Sequence, residues 1–105
     1  MRNQQVVLQL MKSGDALTKE RIVEHWIYFS TDKDRNCFME QIKSDGFTID
    51  EKNIRSDLKH PYQLKISRID SVDPYKITTV TLALRKKAAT CKGKYDGWET
   101  VLIKN

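Results

Sequence analysis

The sequence is short of the residues on which several kinds of protein depend, with two cysteines, two prolines, four glycines and two histidines in 105 positions. Cys37 and Cys91 stand far apart with no CxxC, and His25 and His60 have no ligand-like spacing to them, so no structural zinc site is encoded. Gly14, Gly46, Gly93 and Gly97 are isolated. That leaves neither a phosphate-binding loop nor a dinucleotide fingerprint, and implies no nucleotide cofactor. A couple of His25 with Cys37 would lack an orienting third group and an oxyanion donor, and there is no GxSxG or papain-like cysteine segment, so the chain does not read as an enzyme. The scarcity of Pro and Gly excludes long linkers, and no stretch approaches the roughly 18 apolar residues of a membrane span. The opening MRNQQVVLQLMKSG lacks the apolar core and cleavage site of a signal peptide. The expectation is a cytoplasmic protein, with no membrane or metal partner, whose two thiols are reduced.

What is present is an ordinary globular balance of 39% hydrophobic and 31% charged residues, enough chain for one core and one domain over residues 1–105. A formal net charge of +5 favours encounters with acidic partners, whether nucleic acid, anionic lipid or protein. Arg85, Lys86 and Lys87, followed by Lys92 and Lys94, form the densest basic run. It reads as a solvated helix face, and it is the surface a nucleic acid would use.

Periodicity places the elements. Val6, Val7, Leu10 and Met11 form the stripe of a short amphipathic helix over Gln4–Lys12, stopped by Gly14. Glu20 to Ser30 is dense in β-branched and aromatic residues and reads as a central strand. Thr31 caps the next helix with Asp34 in the capping-box position; Cys37, Phe38 and Ile42 mark its buried side, and Gly46 is its stop. Phe47 and Ile49 begin a short strand, and Glu51 to His60 reads as a loop. Tyr62, Leu64 and Ile66 alternate with Gln63, Lys65 and Ser67, the period of a strand with one wet face. Asp73 caps a helix opened by Pro74, with the stripe Ile77, Val80, Leu84, Ala88 and Cys91 and with Gly93 at its end. A last strand, YDGWETVLIK, runs almost to the C-terminus.

The order is a helix followed by βαββαβ, which points to an α+β ferredoxin-like sandwich: a four-stranded antiparallel sheet, two helices on one face and an extra N-terminal helix. That leading helix is expected on a sheet edge or on the face the other two leave free.

Two stretches, GDALTKERIVEHWIYF and KYDGWET, resemble the family of the regulator of ribonuclease E activity B. They carry that family's Glu-His pair as Glu24 and His25, its Gly-aromatic step as Gly46 and Phe47, and its Tyr-Asp-Gly-Trp segment as Tyr95 to Trp98. The resemblance covers nearly the whole chain in order. It implies a ferredoxin-like fold and a bacterial enzyme inhibitor, one that restrains an RNA-degrading endonuclease by contact with that enzyme's non-catalytic scaffold. The best-known members are acidic, whereas this chain is basic and ends at Asn105 where they continue into a long acidic tail.

If Val23, His25, Ile27 and Phe29 face the packed helices, alternation sends Glu24, Trp26 and Tyr28 to the opposite face, with Trp98 expected to join them and Asp96 beside it. His25 then reads as a core histidine. Those open-face residues are the candidate contacts for a protein partner, since Trp and Tyr anchor interfaces. Stacking of RNA bases on them is the alternative, although no RNP1-like run is present. An immunity or antitoxin-like protein fits the same features, and a leading helix lying over the aromatics would close the face altogether.

Overall fold

The computed structural model describes residues 3–104. Helix α1 (Asn3–Lys12) leads into β1 (Arg21–Phe29), α2 (Asp32–Gln41), β2 (Thr48–Ile54), β3 (Tyr62–Asp70), α3 (Pro74–Thr90) and β4 (Gly93–Thr100). The strands form one antiparallel sheet in the order β2-β3-β1-β4. The chain is therefore α+β, with a four-stranded antiparallel sheet and three helices.

Strand β1 alternates as its sequence requires. Val23, His25, Ile27 and Phe29 are buried on one face, and Glu24, Trp26 and Tyr28 are half-buried on the other. His25 lies opposite Ile66 and Ile27 opposite Leu64, so the two central strands present one apolar face. Slipping the register by one residue would turn that whole set to water, which fixes the pairing. Phe38 and Ile42 of the α2 region and Val80 and Leu84 of α3 pack on Ile27, Phe29, Leu64 and Ile66. Each such fully buried side chain contributes about 1.5–3 kcal/mol.

Both capping readings hold. The Thr31 hydroxyl accepts the Asp34 N–H at 3.1 Å, and the Asp73 carboxylate accepts the Lys76 N–H at 3.0 Å with Pro74 in the first turn. Other expectations need correction. Helix α2 ends at Gln41, and Gly46, at φ +85°, belongs to the turn beyond it. Helix α3 is closed by Lys92 at φ +57°, while Gly93 opens β4, where any Cβ would overlap the Phe29 ring. Strand β2 extends through Glu51–Ile54, which the sequence places in a loop; it is a sheet edge exposed along its whole length, so no apolar alternation marks it. Strand β4 stops at Thr100, beyond which Lys104 pairs only with Asp15.

Helix α1 lies neither on an edge nor on the free face. Val7, with Val6 and Leu10, joins Val23, Val72, Ile77 and Trp98, beside α3 on the same side of the sheet as the other helices. The end of the sheet around Val23 and Trp98 is apolar, and α1 covers it. Met11, expected in the stripe, is exposed. The segment after α1 is held by Arg21, which donates to Asp15 at 2.7 Å and to the Ala16 carbonyl at 2.7 Å, while the Ile103 N–H donates to Asp15 at 2.8 Å.

Cys37 and Cys91, expected as thiols, are joined in a disulfide. Cys37 is exposed, and Arg35, Phe38 and Ile42 carry the buried side instead. The bridge forms where the end of α3 passes α2: the Gln41 side-chain amide donates to the Thr90 hydroxyl at 2.8 Å and sits 3.1 Å from Cys91 Sγ. Redox reasoning from compartment cannot reveal that proximity.

Candidate functional site

With three helices on one side, no described helix covers the other face of the sheet. Its centre is built by cross-strand pairing: Trp26 lies opposite Lys65 on β3 and Gly97 on β4, Tyr28 opposite Gln63 and Lys94, and Glu24 opposite Ser67 and Glu99. Two polar ladders cross this face. In one, the Asn53 amide donates to Gln63 at 3.1 Å and the Gln63 amide donates to the Tyr28 hydroxyl at 2.7 Å. In the other, Lys65 Nζ lies 2.7 Å from Glu24, 3.7 Å from Glu51 and 5.5 Å from the centre of the Trp26 ring. The Glu24 hydrogen bond, helped by the Glu24, Glu51 and Asp50 charges, holds the Lys65 ammonium above its ordinary range.

Trp98 does not join this face. Ile27 pairs with Tyr95 and Trp26 with Gly97, so Asp96 is the extra residue of a bulge that reverses the phase of β4. Tyr95 and Trp98 consequently both turn inward, and Trp98 is 1% exposed. The bulge leaves Asp96 and Glu99 exposed and sets Gly97, which has no side chain, opposite Trp26. A depression of about 280 Å³ opens there, lined by Trp26, Tyr28, Asp96, Gly97, Trp98 and Glu99. Thus Glu24, Trp26, Tyr28 and Asp96 are brought together at the surface, with Trp98 reaching the depression from the core side.

The family described as regulator of ribonuclease activity B matches residues 1–100. The chain belongs to that family. A search of curated proteins finds no match. Membership in the regulator of ribonuclease activity B family implies regulation of a ribonuclease and agrees with a protein that is not itself a catalyst. Among the described residues, no helix is long and apolar enough to cross a membrane and no group of three or more His, Cys, Asp or Glu is placed to hold a metal ion.

Of the Glu-His pair that carried the resemblance to this family, Glu24 faces outward and His25 is buried. His25 Nδ1 lies 2.7 Å from the Tyr95 hydroxyl, and its Nε2 has no partner among the described residues. Burial lowers its pKa to about 4; Asp70 pulls upward and Arg68 downward. The ring is neutral at neutral pH, sealed beneath the helices, and fits the reading of a core histidine. Burial likewise pushes the Tyr95 hydroxyl well above the usual range.

The basic candidates do not make one patch. Arg85, Lys86 and Lys87 lie on α3, Lys92 in the following turn, and Lys94 on the open sheet face opposite Tyr28. The Arg85 guanidinium sits 5.0 Å from the centre of the Tyr95 ring, and Lys87 is ion-paired to Asp45. Sequence reasoning missed the arginines that work inside the fold. Arg35 donates to the Asn53 and Gln63 carbonyls, each at 3.0 Å, tying α2 to β2 and β3. Arg68 donates to Asp70 at 2.8 Å and lies 4.2 Å from the centre of the Phe47 ring. For Arg21 the signal was available, since it is in phase with Val23 and His25; for Arg35 it was the spacing of three to Phe38.

Proposed function

We propose that residues 1–105 act as one non-catalytic regulatory domain that restrains an RNA-degrading enzyme by protein contact. The contact surface is the open sheet face around Glu24, Trp26 and Tyr28, with Asp96 at its margin. The observation that carries this reading is the placement of α1 beside α3, which leaves two aromatic side chains on an uncovered face. Aromatic side chains set among polar ones are common anchors of protein interfaces. The strand order and the βαββαβ succession after α1 support a ferredoxin-like sandwich with α1 as an addition. We place this work beside the enzyme it restrains, in the cytoplasm, although the Cys37–Cys91 disulfide is of a kind rare in a reducing compartment.

A base-stacking role for the same face fits less well. Its strands carry Glu24, Glu51, Asp96 and Glu99 against Lys65 and Lys94, so phosphates at the Trp26 end would meet carboxylates, and only Lys94 and Lys59 by Tyr28 would answer them. Nucleic acid is left with the basic side of α3.

The test combines the purified protein with an RNA-degrading endonuclease of its own cell and a labelled RNA. The wild type should slow cleavage while cleaving nothing itself, and should form a complex that survives nuclease and moderate salt. Trp26→Ala should weaken both effects with the fold intact. If Trp26→Ala acts normally and neutralising Arg85, Lys86 and Lys87 abolishes a salt- and nuclease-sensitive complex, the nucleic-acid reading replaces this one.

A further inference from the structure

Resting on the open-face reading and going beyond it, we infer that this face docks a basic, arginine-bearing protein segment, one of whose guanidinium groups enters the depression beside Trp26. The first observation is charge. The chain carries a net +5, yet the open strands carry Glu24, Glu51, Asp96 and Glu99 against Lys65 and Lys94, with Lys59 at the margin near Tyr28. Glu24 and Glu99 stand directly opposite each other on neighbouring strands, an arrangement unfavourable for like charges unless a cation lies near both. Of these two, Lys65 reaches Glu24, from the β3 side, where it also meets Glu51. On the β4 side, Glu99 and Asp96 are exposed.

The second observation is shape. Gly97, opposite Trp26, contributes no side chain to the depression, whose lining includes the Trp26 indole and the Tyr28 ring. A planar cation can lie along an aromatic wall while its N–H groups reach carboxylates at the rim, which is what a guanidinium does and a compact ammonium does less well. The chain already uses this chemistry internally: Lys65 sits by the Trp26 ring, Arg68 by Phe47 and Arg85 by Tyr95. The β4 side of the Trp26 site offers the same pairing to a cation from outside. An acidic or phosphate-bearing ligand would instead meet Asp96, Glu99 and Glu24.

The experiment titrates the full chain, followed by NMR, with a short arginine–glycine repeat peptide, its lysine and citrulline counterparts, and oligouridylate. The expected result is binding in the order arginine, lysine, citrulline, with shifts centred on the Trp26 indole and the Gly97 amide. In the surface variant D96N/E99Q the arginine peptide should bind about tenfold more weakly. Equal binding of the arginine and citrulline peptides, unchanged affinity in D96N/E99Q, or shifts confined to α3 would overturn the inference, as would oligouridylate shifting the same residues more strongly. Concentration-dependent shifts without peptide would also overturn it, by showing a second copy of the chain as the occupant. In the ribonuclease assay, loss of inhibition in Trp26→Ala but not in D96N/E99Q keeps the docking face and removes its basic partner. Loss in neither removes the face itself.

Discussion

The Tyr95 hydroxyl stands 2.7 Å from His25 Nδ1 at a point where the imidazole has no access to water, between the core packed under α2 and the core packed under α1. One hydrogen bond serves the ring, so protonating it would bury a charge with little to answer it.

Stability should therefore depend on His25. In the unfolded chain the ring titrates near 6.5, and in the fold burial lowers this to about 4. Between those values the unfolded chain takes up a proton that the fold refuses. Stability is full above pH 6.5 and is lost as pH falls to about 4, by roughly 3 kcal/mol. Denaturant unfolding at a series of pH values reads the slope, and His25→Gln should flatten it. An equal slope in the variant would place its origin elsewhere.

The central strands and the outward trio Glu24, Trp26 and Tyr28 were legible because alternation with a period of two reports burial directly, and Thr31 and Asp73 were legible because capping is local chemistry. What was not legible depended on partners distant in sequence. Strand β2 takes its register from β3 and needs no pattern of its own. Trp98 is turned inward by one extra residue at Asp96, which alternation cannot anticipate. The stripe of α1 shows that it packs, but only the apolar end of the sheet around Val23 and Trp98 decides on which face.

The side chains of Arg21 and Asp15 are almost fully buried and tie the segment after α1 to the chain beyond β4. Arg21→Met should destabilise by about 3–5 kcal/mol, because the Asp15 carboxylate would lose its cation and keep only the Ile103 N–H. Adding Asp15→Leu should recover part of that loss, since the pair is then replaced by apolar groups. Burial by itself would raise the Asp15 carboxyl, but the Arg21 and Ile103 hydrogen bonds bring it below 3.8. Its stabilisation is present above 3.8 and lost only at lower pH, clear of the His25 window. Urea unfolding of the three proteins decides this; a double variant weaker than Arg21→Met would contradict it.

Lys92 and Gly93 make a paired test of how α3 hands over to β4. Lys92 is in the left-handed region, which a side chain disfavours by about 1 kcal/mol, so Lys92→Gly should be neutral or slightly stabilising. Gly93→Ala should destabilise by about 1–3 kcal/mol because its Cβ would displace the fully buried Phe29 ring. Were Gly93 merely the helix stop expected from sequence, the two substitutions would rank the other way. Thermal unfolding of both variants is sufficient.

The Cys37–Cys91 bridge separates stability from binding. It joins α2 to the end of α3 and closes a loop of 54 residues, which by chain entropy contributes about 4 kcal/mol. Unfolding in reductant, or of Cys37→Ser/Cys91→Ser, should lie below the oxidised protein by that order, and thiol titration should follow the same change. Both cysteines lie on the helix side of the sheet, whereas Trp26, Tyr28 and Glu24 point away from it. The helices pack on the sheet through Phe38, Leu84 and their neighbours as well as through the bridge. Reduction should accordingly leave the fold populated at low temperature and the open face intact, so the proposed ribonuclease inhibition should be the same for the reduced and oxidised proteins below the unfolding transition. Equal midpoints with and without reductant would remove the stabilising role of the bridge. Inhibition lost while the reduced protein is still folded would show that the bridge shapes the binding face through the sheet.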